Sequence, residues 1–420
     1  MFLDRYYDSY LLYTIMRRPQ HMKKTKKVLI LLLSVSISAL FGCATEPEVS
    51  APIDANAPST DATLTLTGQW LIDDKGELII DPQPSGLTMW QDQLVMIADA
   101  SANNTQVKRL HFINPVNAQR KTLSPIYKIS PDLTQSCFNQ YLLSKPDLEA
   151  LVKDPTNPNG FITVTEDAST LGKLTEACQV AFRDTYSTDY PTVLVRLHWD
   201  GTQLSVTGVR AVQFPQNAQI GNSPNDGVEG LSIDGNKLFI ALEKDAKYRA
   251  RIFSTVLDEG FWRDHRFVAV KDEDFSIPEL NQPGTRFVPH PINGTDIFEY
   301  NGSKWLLAAA RNDNQLWLID IAKQRPTKIV NLRFMAPTQL GHQPSAMDCP
   351  SSTLMDNASL EGVAVANGSV YLVNDPWKRN YWKNIQCEST RSAYAEHMNG
   401  LLFTTTVAEL FRHARDMGAK

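Results

Sequence analysis

From residue 64 onward the chain alternates apolar and polar positions with a period of two, the spacing of a strand that buries one face. The alternation recurs as a unit: a polar or acidic residue, a small residue, a strand, a tight turn and a second strand. The clearest copies are Glu229-Gly230-Leu231-Ser232-Ile233, turning at Asp234-Gly235 into residues 237–243, and Glu361-Gly362-Val363-Ala364-Val365, turning at Asn367-Gly368 into residues 370–374. Asp-Gly and Asn-Gly between such runs are strong hairpin signals, because these residues accept the left-handed backbone of a two-residue turn. A third copy runs from Thr295-Asp296 through Asn301-Gly302 to Arg311. Weaker ones begin at Ser85-Gly86-Leu87, ending at Asp99, and at Glu149-Ala150-Leu151, ending at Glu166.

The starts at 85, 149, 229, 295 and 361 lie 64, 80, 66 and 66 residues apart, which predicts one repeated supersecondary unit. Further strand pairs are expected at residues 107–113 and 122–129, 193–199 and 203–212, and 315–321 and 327–334. Four antiparallel strands per unit make a propeller blade. The expected fold is therefore all-β: a β-propeller of five or six four-stranded blades, with a sixth accommodated between Gly86 and Glu229. An open β-sandwich with coincidental spacing is the competing architecture. The last unit supplies only residues 401–407 after its hairpin. The N-terminal strand around residues 64–72 is expected to complete it, closing the ring and removing an exposed sheet edge. Helical spacing is confined to short stretches near residues 148–152 and 407–417.

Ahead of the repeats, Met22 is followed by Lys23, Lys24, Lys26 and Lys27 and an apolar run over residues 28–41. A charged and then hydrophobic stretch is the layout of a secretory signal, and this run is too short to span a bilayer. Leu40-Phe41-Gly42-Cys43 resembles a bacterial lipobox, which implies cleavage before Cys43 and acylation of that residue. Several acyl chains anchor firmly, since each buried methylene contributes about 0.8 kcal/mol. Ala44 and Thr45 resemble an outer-membrane address. Residues 1–21 read as an extension from a misassigned start, 22–43 as the lipoprotein signal, 44–63 as a flexible Pro/Ala/Ser/Thr-rich tether, and 64–420 as the propeller domain.

Of the 41 basic and 46 acidic residues, seven basic and two acidic lie within residues 1–43, so the mature chain is acidic by about ten charges. That argues against nucleic acid, which rewards dense Lys/Arg patches. The partners that remain are the lipid bilayer through Cys43, and a small anionic substrate or an envelope protein. Beyond Cys43 there are Cys137, Cys178, Cys349 and Cys387. An even count in an oxidising compartment suggests two disulfides, with nearest neighbours giving Cys137–Cys178 and Cys349–Cys387; the other two pairings remain open.

In a propeller the innermost strands line a central channel. A repeat position occupied by Glu149, Glu229, Asp296 and Glu361 would bring several carboxylates to one axis, which is costly unless a hard cation such as calcium neutralises them. The ends of the second strands, Asp99, Glu166, Glu243, Asn374 and Asp375, are additional candidate ligands. The structural alternative is a latch, each acidic residue accepting backbone hydrogen bonds from the next blade. Lys247, Arg249, Arg286, His290 and Arg311, with Lys244 and Arg251 nearby, are candidate phosphate-binding groups. Trp377, Tyr381 and Trp382, among Lys378, Arg379 and Lys383, form an insertion suited to capping the ring or binding a partner. No Gly-x-Ser-x-Gly elbow, His-Glu-x-x-His helix, phosphate-binding Gly-x-x-x-x-Gly-Lys loop or Cys-x-x-Cys pair is present.

The Glu-Gly-Leu/Val strand with its hairpin, strongest at residues 226–253 and 358–375, resembles the phytase-like propeller domain, also described as an esterase-like domain of phytase. It is more distantly similar to gluconolactonase-type six-bladed propellers. The resemblance implies a calcium-favouring, carboxylate-lined centre and hydrolysis of phosphoesters or lactones. Ser85 replaces the acidic residue in the first copy, and Thr295-Asp296 stands where Glu-Gly is expected in the fourth. Two functions are compatible with these patterns: a calcium-dependent phosphoesterase or related hydrolase, and a non-catalytic binding or scaffolding propeller of the cell envelope.

Overall fold

A computed structural model of the chain describes residues 63–418 apart from 167–173, 187–190, 221–226, 265, 279–289, 341–348 and 357. The signal segment with Cys43, residues 44–62 of the tether, and Arg286 lie outside the described residues.

The apolar-alternating segments form strands that pair in hairpin order. The first meander comprises Pro84–Trp90, Gln93–Ala98, His111–Ile113 and Arg120–Leu123, and the second Leu148–Lys153, Gly160–Thr165, Val193–Trp199 and Leu204–Gln213. The third comprises Val228–Asp234, Lys237–Leu242, Arg251–Val256 and Lys271–Asp272, and the fourth Thr295–Tyr300, Ser303–Ala310, Gln315–Asp320 and Lys328–Pro337. The last joins Leu360–Ala366, Ser369–Asn374 and Leu401–Thr406 to the N-terminal strand Thr63–Trp70. That strand pairs antiparallel with Leu401–Thr406 and parallel with Lys328–Pro337, so neither is left as a bare edge there.

The opening strands of the meanders, the inner strands, touch one another in a closed cycle, the first against the second and onward until the last returns to the first. Packing follows the same cycle. Phe112 and Val95 share an apolar cluster with Phe161 and Val195, Val164 with Leu231 and Phe253, Phe239 with Trp317, Leu318 with Leu372, and Ala364 with Leu87 and Met96. Each adjoining pair of meanders thus buries its own core. The fold is all-β, with the radial arrangement of a β-propeller. The residues between Gly86 and Glu229 build two of these meanders.

The helix-like spacing near residues 148–152 belongs to a strand, Leu148–Lys153, whose first five residues are all buried. Burial on both faces removes the alternation that marks a half-exposed strand, so its apolar spacing mimics a helix. The spacing near residues 407–417 does begin a helix, Val407–His413, whose N-terminus is capped by Thr406 Oγ1 accepting from Glu409 N at 3.1 Å. The Asn367-Gly368 turn takes positive φ at both residues, the left-handed conformation of a tight hairpin. Cys137 pairs with Cys178 and Cys349 with Cys387, at Cα separations of 5.7 and 6.1 Å.

Small residues allow the inner strands to meet. A Cβ at Gly86 would lie 2.3 Å from the carbonyl carbon of Ala150, and one at Gly294 would lie 2.0 Å from the carbonyl oxygen of Glu361. Both clashes are with backbone, which has no rotamer in which to retreat. Gly294→Ala is therefore expected to destabilise the domain by about 1–3 kcal/mol through overpacking, read as a lower midpoint in urea denaturation. An unchanged midpoint would show that the inner strands have slack at the axis.

Candidate functional site

The register of the hairpins defines two tiers of side chains at one end of the inner strands. Pro84, Leu148, Val228 and Leu360 pair with Ala98, Thr165, Leu242 and Asn374; the pairing becomes irregular directly afterwards in three meanders and after Glu149–Val164 in the second. The residues that follow on the inner strands are Ser85, Glu149, Glu229 and Glu361; those that follow on the second strands are Asp99, Glu166, Glu243 and Asp375. In the fourth meander Asn293 N donates to Ala309 O, and Ala309 N to Gly294 O, each at 2.9 Å. Counted back from the closing pairs Asp234–Lys237, Ala366–Ser369 and Tyr300–Ser303, the inner-strand position of Glu229 and Glu361 falls on Thr295, and the second strand runs on through Ala310 to Arg311.

This register corrects the sequence spacing at Asp296. Its carboxylate accepts from Ile297 N at 2.8 Å and from Val365 N, on the neighbouring inner strand, at 2.6 Å. It serves as a latch between strands, and the ring register falls on the preceding residue, Thr295. Asn374 is also structural: its Oδ1 accepts from Leu401 N at 2.7 Å and its side chain is fully buried.

The acidic residues gather in two groups. Oxygens of Asp99, Asp147 and Glu149 lie within 4.8 Å of one another, as do those of Glu166, Glu229 and Glu243. Asp147 was not singled out from the sequence because it precedes the repeat and belongs to no recurring position. Some of this oxygen is committed: Asp147 Oδ1 accepts from Ala100 N at 2.8 Å, Asp99 Oδ1 from Ser101 N at 2.6 Å, and Glu166 Oε1 from Gly227 N at 3.1 Å. Arg311 enters the ring between groups. Its Nη2 lies 3.1 Å from Glu243 Oε1, its Nη1 binds Glu361 Oε1, and Lys244 Nζ meets Glu243 Oε2 at 2.6 Å.

Burial and mutual repulsion govern the protons here. Burial first, then Glu229 and neighbouring acids, hold Glu149 and Glu166 well above the ordinary carboxylate range. Glu361 and Asp375 are raised by burial against the opposing pull of Arg311. Glu229 is pushed up to about 8 by burial and Glu243, and Asp99 to about 7 by burial and Asp147. Asp296 is raised to about 7 by burial, although its two backbone donors oppose the shift.

A hard cation fits this donor set. Calcium takes six to eight oxygens at about 2.3–2.6 Å, so ligands on opposite sides of it stand about 5 Å apart, the scale of both groups. At this end of the inner strands, Glu361 Oε2, Asp375 Oδ1 and both amide atoms of Asn293 are buried without a hydrogen-bond partner among the described residues. Unsatisfied buried polar atoms cost about 1–3 kcal/mol each, which a ligand would relieve.

Of the other basic candidates, Arg249, Arg251 and His290 gather around one cavity. Arg249 and Arg251 bind Asp245 Oδ2 at 2.7 and 3.2 Å, and with Tyr248, Phe275 and His290 they line a cavity of about 300 Å³. His290 Nδ1 is 2.8 Å from Asp313. Lys247 is exposed. In the aromatic insertion Tyr381 is buried, whereas Trp377 and Trp382 remain exposed. Lys378 ties the insertion to the first meander through Asp81 Oδ2 at 2.7 Å and Ser101 O at 2.6 Å.

The sequence matches no protein-family model and no curated protein. Among solved structures, the chain is similar to the major Malassezia sympodialis allergen Mala s 1, at 12% identity over 77% of this chain and 78% of that one, with a TM-score of 0.34. A putative glycoside hydrolase from Bacteroides ovatus is 9% identical over 80% and 89%, with a TM-score of 0.37. A GH43_1 enzyme from Xanthomonas citri is 6% identical over 81% and 90%, with a TM-score of 0.36. At these scores the fold assignment stands on the strand topology above.

Proposed function

We propose that this chain is a lipid-anchored lipoprotein of the bacterial cell envelope, in the outer membrane, whose mature domain is a five-bladed β-propeller with calcium bound in its carboxylate ring. Its proposed activity is hydrolysis of phosphoesters, as in the phytase-like propellers that the Glu-Gly-Leu/Val repeat resembles. The observation that carries the cation reading is the two-tier ring, where Glu149, Glu166, Glu229, Glu243 and Glu361 are all buried and Glu361 Oε2 has no partner. Five meanders in one closed cycle, each adjoining pair sharing a core, support the blade number. The lipobox and basic signal segment support the anchor.

When bound, calcium would neutralise the ring and supply a Lewis-acidic centre for a phosphoester oxygen. Glu149, Asp99 and Asp147, and Glu166, Glu229 and Glu243, are the residues placed to hold it. The protein's own groups fix the site, the latch at Asp296 and the glycine contacts setting the spacing of the strands. A non-catalytic binding propeller is the second reading. The commitment of Asp99, Asp147 and Glu166 to backbone amides favours it, since those bonds serve the fold whether or not turnover occurs.

Several measurements test this reading. Calcium should raise the thermal stability of the purified protein by about 2.7 kcal/mol at a hundredfold excess over Kd, with magnesium doing less because it sheds water reluctantly. Glu229→Gln and Glu361→Gln should lose most of that response; a titration without any shift would remove the cation site. Calcium-stimulated release of phosphate from p-nitrophenyl phosphate, lost in Glu229→Gln, separates the hydrolase from the binding reading, which requires calcium binding without turnover.

The pH dependence has a definite sign. Asp99, Glu229 and Asp296 have folded pKa values of about 7, 8 and 7 against unfolded values of 3.8, 4.5 and 3.8, so the folded state binds more protons between these limits. Stability from these groups is full below the unfolded values and is lost as pH rises through the folded ones. In chelator the melting temperature should therefore fall between pH 5 and 8, and saturating calcium, which favours ionised carboxylates, should flatten or reverse that slope. A rise in chelator over the same interval would contradict the burial of this ring. Finally, Cys43→Ser should move the protein from the membrane fraction to the soluble fraction of lysed cells, and undiminished membrane retention would exclude the acyl anchor.

A further inference from the structure

Six of the eight tryptophans are buried or half-buried, and the two that are exposed, Trp377 at 46% and Trp382 at 54%, share the insertion between Asp375 and Cys387. Exposed apolar residues scattered singly are ordinary on a protein surface, whereas their gathering in one place marks a contact. Leu354 and Ile80, also exposed, flank this insertion: Leu354 O accepts from Gln386 Nε2 at 2.6 Å, and Ile80 precedes Asp81, which holds Lys378. We propose that the insertion is a second membrane contact, which lays Trp377 and Trp382 in the headgroup region of an anionic phospholipid surface. The inference rests on the lipoprotein reading above and adds which face of the domain meets the bilayer.

The insertion is a fixed platform. Lys378 Nζ binds Ser101 O as well as Asp81, Tyr381 Oη donates to Asn399 O at 2.7 Å, Asn384 Oδ1 accepts from Asp356 N at 2.8 Å, and Cys387 is tied to Cys349. With Tyr381 and Asn384 buried, Trp382 and Lys383 between them face outward, so the framework itself displays the indole. Trp382 Nε1 donates to Arg379 O at 3.2 Å, while the Trp377 side chain has no hydrogen-bond partner among the described residues.

Charge and composition select lipid as the occupant. The mature chain is acidic, yet residues 376–387 contain Lys378, Arg379 and Lys383 and no acidic residue. All three are exposed, and among the described residues neither Arg379 nor Lys383 is ion-paired. Indole rings settle at the headgroup level of a bilayer, and Lys and Arg beside them are drawn to anionic lipid. A protein partner is the poorer match, since protein interfaces favour Trp and Arg but are depleted in Lys. The anchor can reach this face. The insertion stands at the Trp70 end of the N-terminal strand, with Trp70 against Tyr394 and Tyr394 against Tyr381 at ring-centroid distances of 5.1 and 5.0 Å. The 19 residues between Cys43 and Thr63 span up to about 65 Å when extended, against about 25 Å for the strand from Thr63 to Trp70. A tethered contact can be weak by itself and still be occupied, because the anchor holds it at high effective concentration.

The test uses the full-length lipoprotein, extracted from membranes with its acyl group and reconstituted into vesicles of phosphatidylglycerol and phosphatidylethanolamine whose acyl chains carry bromine. Bromine quenches an indole only at short range, and the six other tryptophans are buried or half-buried in the protein. Emission is expected to fall relative to vesicles without bromine. That fall should be lost in Trp377→Phe/Trp382→Phe, and mostly lost in Arg379→Glu/Lys383→Glu and in phosphatidylcholine vesicles, where the attraction to anionic lipid is removed. Both variants alter exposed side chains and should still float with the vesicles through Cys43. Floating wild-type protein whose tryptophans are not quenched would overturn the proposal, and is the result expected if another protein covers this face. Quenching retained in Trp377→Phe/Trp382→Phe would place the contact elsewhere and overturn it as well. Wild-type protein that does not float at all would instead overturn the acyl anchor on which the proposal rests.

Discussion

The organisation of this domain depends on how closely the inner strands approach one another at the axis. Gly86 rests against the backbone of Ala150, and Gly294 against the carbonyl of Glu361, with no room for a methyl group in either contact. Because strands converge there, residues at equivalent register positions converge too. The same steric requirement that selects glycine or alanine therefore gathers the preceding side chains into a ring, and where those side chains are glutamates it brings like charges together in a buried place.

Such a ring is electrostatically unfavourable by itself. A buried carboxylate is driven toward its neutral form by desolvation and by each neighbouring acid, and Glu149, Glu166, Glu229 and Glu361 all show that shift. The domain offsets part of the cost internally, through backbone donors to Asp99 and Glu166 and through Arg311. Asp296 is outside this economy: with donors on both oxygens it joins two inner strands, so acidic residues at the axis are divided between a latch and a ring.

Farther from the axis, the stabilising interactions are apolar. Five clusters are each shared by adjacent meanders, so most of the apolar packing joins one meander to the next around the ring. Closure falls to Thr63–Trp70, which bridges the fourth and last meanders by hydrogen bonds to both. Trp70 adds an edge-on contact to Tyr394, which in turn meets Tyr381, fastening the aromatic insertion to the closing strand.

Local chemistry made much of this legible in the amino-acid order alone. Alternation with Asn-Gly and Asp-Gly turns marked the hairpins, because both signals arise from backbone sterics and one-sided burial within a few residues. The glutamate before glycine at 229 and 361, and the acidic ends of the second strands, were visible for the same reason, as was the nearest-neighbour cysteine pairing. What required the tertiary structure was register and convergence. Only the strand pairing separates Thr295 from Asp296 at the ring register, and only the contact with Val365 N shows Asp296 to be a latch. Only the folded ring brings Asp147 beside Glu149 and sets Arg311 between Glu243 and Glu361, because those contacts join meanders that lie far apart in the chain. Sequence by itself determined the repeated unit and its acidic character; the closing of that repeat into a ring decided which charges face one another.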